Sequence, residues 1–350
     1  MTEANRSPPH GGIHYGWIIL ATGLGVMFAC LGLGRFALGM LLPPMGEALH
    51  LDYGQMGLIS TANFIGYMGS VIFAGRLSNK FGPRATISSG LLIVGISMAL
   101  IWHAGGLKTI LVLYFFTGVG SGLANIPMLG LVAGWFVKRW RGRAAGFMMV
   151  GNGLGIVFSG IIGPFLITEM TGQGWRIAWV ILAALFLRNS PAQAALQPLG
   201  TDRSLAAANF AGTSHPRVSK PGKSERSKLI QLGLVYSMFG ATYAVYATFI
   251  VTSLVNERGF STNAAGWFWS IVGVISLISG PYAGYIADRL GRFPALAIIF
   301  AQFSVAHLLA LTTLPGACLY LSILAFGLSL WGIPSVMAAT VGDLVGPARA

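Results

Sequence analysis

The chain has 350 residues, 55% of them hydrophobic and only 9% charged, and its mean hydropathy is +0.72. Soluble domains carry roughly 25% charged residues because their surface faces water, so an ordinary soluble fold is excluded. The formal net charge of +13 lies in short stretches between apolar runs. A nucleic-acid binder would instead spread it over one folded face with aromatics beside it.

Two cysteines, Cys30 and Cys318, give neither a disulfide framework nor a metal spacing. The six histidines (His10, His14, His50, His103, His215 and His307) show no ligand or catalytic spacing of the H-E-x-x-H kind. A membrane enzyme or sensor is set aside on these grounds, and no cofactor or metal is expected. No nucleic-acid partner is expected either.

In chain order, Met1 to Tyr15 is polar and leads directly into an apolar run too long for a cleaved leader, so it reads as a retained membrane helix. Ten segments approach the roughly twenty apolar residues that cross a bilayer. They are 16–42, 53–75, 85–104, 109–136, 144–167, 175–187, 229–255, 264–286, 293–314 and 317–341. Each is expected to be helical, since lipid-exposed backbone must satisfy its own hydrogen bonds. The sixth is short for a crossing at about 1.5 Å per residue. Either Arg188 snorkels and the helix continues, or residues are missing there.

With the N-terminus in the cytoplasm, 18 of the 22 Lys and Arg residues fall in inner loops and 3 in outer loops. The positive-inside rule therefore orients the chain. Residues 188–228 are rich in Pro, Ser and Ala with seven basic residues, and read as a flexible cytoplasmic linker. Its polybasic end, Lys220 to Lys228, is either simply solvated or touches anionic head groups. The expected organisation is a six-segment N-terminal bundle over 1–187, the linker over 188–228, and a C-terminal bundle over 229–350.

A shift of 209 residues lays 51–84 on 260–293 without gaps. Gly57 then meets Gly266, Ser70 Ser279, Ala74 Ala283, Gly75 Gly284 and Gly82 Gly291, while Gly118 meets Gly327. The fourth and tenth segments also share an Ile-Pro pair, Ile126-Pro127 and Ile333-Pro334. By the same shift a partner for the fifth segment would begin beyond Ala350. The expectation is six segments in one half and four of six in the other, a truncated product.

One charge stands well inside an apolar run. Arg35, in GLGRFALGMLLPPM, costs about 2.5–3.5 kcal/mol to insert and so marks a functional site by default. A cavity-facing guanidinium would hold a carboxylate bidentately. The alternative is that Arg35 snorkels or pairs with Glu47 or Asp52. His307, the one imidazole deep in a segment, reads as a hydrogen-bonded packing residue.

The loop GRLSNKFGPR (75–84) and its repeat GYIADRLGRF (284–293) resemble the loop signature of the major facilitator superfamily, roughly G-x-L-A-D-R-x-G-R-R. The resemblance implies an all-α multi-pass membrane protein with two six-helix bundles around a central cavity, working by alternating access. It assigns a gating role to Gly75, Asn79, Lys80, Gly82 and Arg84 in the first loop, and to Gly284, Asp288, Arg289, Gly291 and Arg292 in the second. Gly75 and Gly284 are expected to permit close helix packing, and Gly82 and Gly291 to allow tight turns. The resemblance has Asp288 dock against the other half near Arg143. Asn79 departs from the pattern, standing where the family has Asp.

Tyr114 also departs, since proton-coupled members carry Arg-x-x-x-Gly where this chain has Tyr114 before Gly118. The glycines of the fifth segment (Gly146, Gly151, Gly153, Gly155, Gly160, Gly163-Pro164) resemble those of family antiporters, and close packing explains them equally well. The resemblance also implies that the first, fourth, seventh and tenth helices line the cavity, which nominates Asn125, Tyr243, Tyr246 and Trp331 as substrate contacts. Asn63, Tyr67 and Asn152 are further polar candidates, and each of these residues serves equally as interhelical glue.

The function expected is secondary transport of a small organic solute, a carboxylate first, by a monomer in the plasma membrane driven by a coupling ion. The rivals are efflux of amphipathic drugs, which predicts an aromatic-lined site indifferent to Arg35, and an inactive remnant.

Overall fold

A computed structural model describes residues 15–135, 138–169, 176, 223–311 and 314–345. Among these the chain is helical, and nine stretches are long and apolar enough to cross a membrane. It is a multi-pass membrane protein. The sixth segment and the linker up to residue 222 lie outside the described residues, Arg176 excepted.

The first crossing is one continuous rod of 34 residues, Gly16–Leu49, longer than expected. It is built from α1 (Tyr15–Met27), a π-helical stretch (Phe28–Phe36) and α2 (Ala37–Leu49), and Pro43 and Pro44 sit inside α2 without ending it. A membrane helix tolerates proline because neighbouring groups re-satisfy the freed carbonyls. Then come α3 (Tyr53–Phe81), α4 (Pro83–Leu100), α5 (Leu107–Trp135) and α6 (Lys138–Glu169). The second half holds α7 (Lys223–Asn256), α8 (Thr262–Leu290), α9 (Arg292–Leu309), α10 (Ala317–Leu330) and α11 (Gly332–Val345).

Two expected boundaries move. Helix α7 starts at Lys223, inside the stretch read as linker, and the tenth segment is broken at Trp331 into α10 and α11. The break has a local cause: Pro334 has no N–H to return to the carbonyl four residues back, and the Trp331 N–H instead meets Ser279 Oγ at 3.3 Å.

The 209-residue repeat extends to helix ends and caps. Helices α3 and α8 both run 29 residues, and α4 and α9 both run 18. Asp52 caps α3 by accepting from the Gln55 N–H, and its counterpart Ser261 caps α8 by accepting from the Ala264 N–H. Gly82 and Gly291 turn the chain at φ of +86° and +90°, a region costly for any residue with a Cβ. Ser70 and Ser279 each bond the carbonyl three residues back.

Gly75 and Gly284 correct the expectation of close packing, because a Cβ added at either meets no atom within 4 Å. The close approaches lie deeper. Gly118 of α5 faces the Asn63 carbonyl and Tyr67 amide of α3, and its counterpart Gly327 of α10 faces Ile275 and the Val272 carbonyl of α8. Within the first half, Gly90 and Gly120 also bring α4 against α5.

The glycines of the fifth segment work as packing surfaces on two sides. Gly151 and Gly155 meet the backbone of the first crossing near Leu24, Phe28 and Gly32. Gly153 and Gly160 meet Gly273 and Gly266 of α8, in the other half. Ser270 of α8 donates to the Val157 carbonyl of α6 at 3.2 Å across that same seam.

Candidate functional site: a guanidinium among aromatic rings

The π-helical stretch is where the site begins. Such irregular turns are rare and concentrate at functional positions, and this one carries Arg35. The hydroxyl of Tyr114 donates to the Gly34 and Arg35 carbonyls at 3.0 and 3.2 Å, and Ser121 Oγ to the Cys30 carbonyl at 2.7 Å. Tyr114, which stands where the resemblance leads one to expect arginine, therefore fixes the backbone that presents Arg35.

The guanidinium lies over two rings, 4.4 Å from the Phe64 centroid and 4.5 Å from the Tyr67 centroid. Its Nε donates to Asn63 Oδ1 at 3.2 Å, and Asn63 Nδ2 in turn donates to the Tyr114 carbonyl at 3.2 Å. Asn63 is buried, so both ends of its amide are committed to positioning. The Nη2 of Arg35 is buried and has no hydrogen-bond partner.

Neither Glu47 nor Asp52 supplies a counter-charge to Arg35, which corrects the pairing alternative: Asp52 is spent on the α3 cap, and the guanidinium is held inside the bundle. The half-buried guanidinium has two rings, the Asn63 amide and Tyr243 against it but no carboxylate among the described residues, so no acid compensates its positive field.

The other half closes over this group. Phe36 meets the rings of Tyr243 and Trp331 edge-on at 6.2 and 5.7 Å, and Phe64 meets Tyr243 at 6.0 Å. Arg35, Phe36, Phe64, Ser60, Tyr243 and Thr248 border a cavity of about 10 Å³, room for about one water. Beside it the two halves are stitched together by a hydrogen bond of 2.9 Å between Ser60 and Thr248, and by Gly39 seated on the Ala247 carbonyl. Nearer the ends of the same helices, Tyr53 packs on Phe249.

Of the nominated substrate contacts, Arg35, Asn63, Tyr67, Tyr243 and Trp331 come together around this point. Asn125 joins through Tyr67, to whose oxygen its Nδ2 donates at 2.6 Å, while its Oδ1 is buried without a partner. Trp331 Nε1 is also buried and unpartnered. Tyr246 does not reach the group. Its hydroxyl pairs with Ser322 at 2.8 Å and its ring stacks on Phe326 at 3.8 Å, so it binds helices of the second half together. Asn152 is buried and donates to Met149 Sδ in its own helix, and it does not border the Arg35 cavity.

The loop residues lie far from this centre. Asp288 pairs with Arg292 at 3.7 Å with its side chain 78% exposed, so its recorded partner is its own loop; the side chain of Arg143 lies outside the described residues. Arg289 rests on Tyr285 and Lys80 on Phe81. Asn79 and Arg84 are exposed. His307 is hydrogen-bonded, as expected, with its ring nitrogens 2.9 and 3.2 Å from two backbone carbonyls.

Phe36, Phe64, Ser60 and Thr248 were not singled out from the sequence. Arg35 itself held the one available signal, since residues near a stranded charge and its counterpart helices are the ones to inspect.

Repeated sets of membrane-length helices, meeting over a half-buried guanidinium, define a polytopic membrane protein. The model of the Major Facilitator Superfamily matches residues 24–350, and the chain belongs to that superfamily. It is 26% identical over 376 residues to monocarboxylate transporter 2 of Homo sapiens, covering 98% of this chain and 75% of that protein. It is 22% identical over 275 residues to a probable sulfoacetate transporter, SauU, of Cupriavidus necator, covering 76% of this chain and 63% of that one. Among solved structures, the xylose transporter XylE of E. coli, partially occluded and inward open, superposes with a TM-score of 0.73 at 17% identity. That match covers 95% of this chain and 89% of the other, and it establishes the fold alone.

Proposed function

We propose that this protein is a secondary transporter of small organic anions, with Arg35 as the group that binds the carboxylate or an equivalent anionic head. The observation that carries this reading is the buried, unpartnered Nη2 of a guanidinium with no acidic side chain recorded against it. A ligand anion supplies the missing charge and the missing acceptor, and charge-assisted bonds of this kind contribute about 1.5–3 kcal/mol. The flanking rings of Phe36, Phe64, Tyr67 and Tyr243 suit a compact apolar body behind the charged head. The names of two relatives, a monocarboxylate transporter and a probable sulfoacetate transporter, support an organic anion as cargo.

In this reading the N-terminus and residues 188–222 are cytoplasmic and the membrane is the plasma membrane. The Ser60–Thr248 and Tyr53–Phe249 contacts then close the outer end, and they part when the halves rock and an ion gradient drives the cycle. Residues 1–187 and 229–350 move as the two bundles, with a small organic anion and a coupling ion as the cargo of a monomer.

The aromatic lining also suits the rival, efflux of amphipathic compounds, and Arg35 separates the two. Equilibrium binding and proteoliposome uptake of radiolabelled lactate and sulfoacetate are measured with wild type and Arg35→Ala. Loss of about 3 kcal/mol, two orders of magnitude in affinity, is expected with membrane insertion intact. Wild-type binding of both anions by Arg35→Ala sinks the proposal, and unaltered export of a cationic dye by that variant would favour efflux.

A further inference from the structure

His307 sits near the end of α9 with its two ring nitrogens against two different acceptors. Nδ1 lies 2.9 Å from the carbonyl of Phe303 in its own helix, and Nε2 lies 3.2 Å from the carbonyl of Thr242 in α7. A neutral imidazole has one N–H and one lone pair, whereas the imidazolium has two N–H donors. Both carbonyls are acceptors only, so neutral His307 satisfies one and turns a lone pair on the other. The ring is also surrounded by π faces and edges: Phe303, Tyr246 and Phe326 have centroids at 4.6, 5.2 and 6.1 Å. Aromatic faces attract a cation.

We infer that His307 is a proton-operated clamp: its imidazolium ties α9 to α7 at Thr242, and loss of the proton releases that tie. The shorter bond is the one within α9, and the clamp places the departing proton on Nε2, facing α7. The consequence for the rest of the molecule is direct, because the next residue of α7 is Tyr243. Its ring packs on Phe36 and Phe64 and forms the second-half wall of the Arg35 cavity. Protonation of His307 therefore seats that wall, and deprotonation frees it to move.

The surroundings of the ring are otherwise uncharged on the elements packed against it. From α7 the titratable neighbour is Tyr246, whose hydroxyl is engaged by Ser322 of α10, and Ser322 Oγ also donates to the Ala306 carbonyl. From α10 the neighbour is Phe326. At the C-terminal end of α9, the guanidinium of Arg258, from the turn after α7, donates to the carbonyls of Ala310, Leu311 and Leu314. No carboxylate is recorded against the ring among the described residues.

The test needs no substrate, so it stands or falls independently of the organic-anion reading. Spin labels are placed at Val245 of α7 and Leu308 of α9, which are 56% and 61% exposed, in a Cys318→Ser background of the full chain in lipid nanodiscs. Inter-label distances are recorded by pulsed electron resonance between pH 5 and 8, the interval in which histidine changes charge. A single narrow distance at pH 5 that broadens or lengthens at pH 8 is expected. His307→Gln, which keeps a pH-independent N–H donor, and His307→Phe, which has none, are both expected to lose the pH dependence. A wild-type distance that does not change with pH overturns the clamp, and so does a change that persists in either variant. Should His307→Phe fail to fold, His307→Gln alone decides.

Discussion

Substituting Gly32 by alanine tests whether the seam between the first crossing and α6 positions Arg35. A Cβ built at Gly32 lies 2.9 Å from Gly155 Cα, 3.3 Å from the Gly151 carbonyl oxygen and 3.4 Å from that of Asn152. All three are backbone atoms of α6, so no side chain can rotate away. An ordinary contact needs 3.4–4 Å, and the π-helical stretch must back off by roughly half an ångström or more. Overpacking of this kind costs about 1–3 kcal/mol. Because Arg35 follows three residues later in that stretch, the guanidinium is carried off its two rings and its bond to Asn63. We expect Gly32→Ala to lose about 2 kcal/mol in reversible unfolding in bicelles and at least about tenfold in lactate affinity, the equivalent of 1.4 kcal/mol. Gly25→Ala is the control, since a Cβ there meets nothing within 4 Å. If Gly32→Ala matches Gly25→Ala in both measurements, the seam does not position Arg35.

Asn63→Asp places a carboxylate where the amide oxygen now accepts from Arg35 at 3.2 Å; internal neutralisation should abolish lactate and sulfoacetate binding in equilibrium dialysis, and retained wild-type affinity would contradict the role of the free charge. The Ser60–Thr248 hydrogen bond should give a coupling energy of about 0.6 kcal/mol in a Ser60→Ala, Thr248→Val double-mutant cycle followed by unfolding, whereas zero coupling would remove it from the contact between halves. Gly82→Ala and Gly291→Ala should each cost about 1–2 kcal/mol through their positive φ. Gly75→Ala and Gly284→Ala should cost less than about 0.5 kcal/mol, and the reverse ranking in thermal unfolding would overturn the assignment of these turns.

Much of the architecture was legible in the sequence because the bilayer imposes it. Crossing length, the charge bias of the loops and the backbone's need for internal hydrogen bonds leave little choice but a bundle of long helices. The 209-residue repeat marked the paired turns at Gly82 and Gly291, while the paired caps at Asp52 and Ser261 emerged only in the structure. Arg35 was legible too, since a lone charge in an apolar run is an anomaly that chemistry must explain.

What surrounds Arg35 was decided only in three dimensions. Helices apolar on every side carry no stripe that separates the core face from the lipid face, because lipid tails are as apolar as leucine. Nothing in the order of residues tells Phe64, which holds the guanidinium, from Ile65 beside it, which is 58% exposed. Nor does it separate Tyr243, which walls the cavity, from Tyr246 three residues on, which stacks away on Phe326. The glycines show the same division. Sequence marks Gly75 and Gly155 alike as small, yet one borders open space and the other meets the backbone at Gly32. The chain itself fixes which segments span the membrane and where an unpaired charge lies, while helix rotation, set by packing of the two halves, selects the rings, amides and hydroxyls that face it.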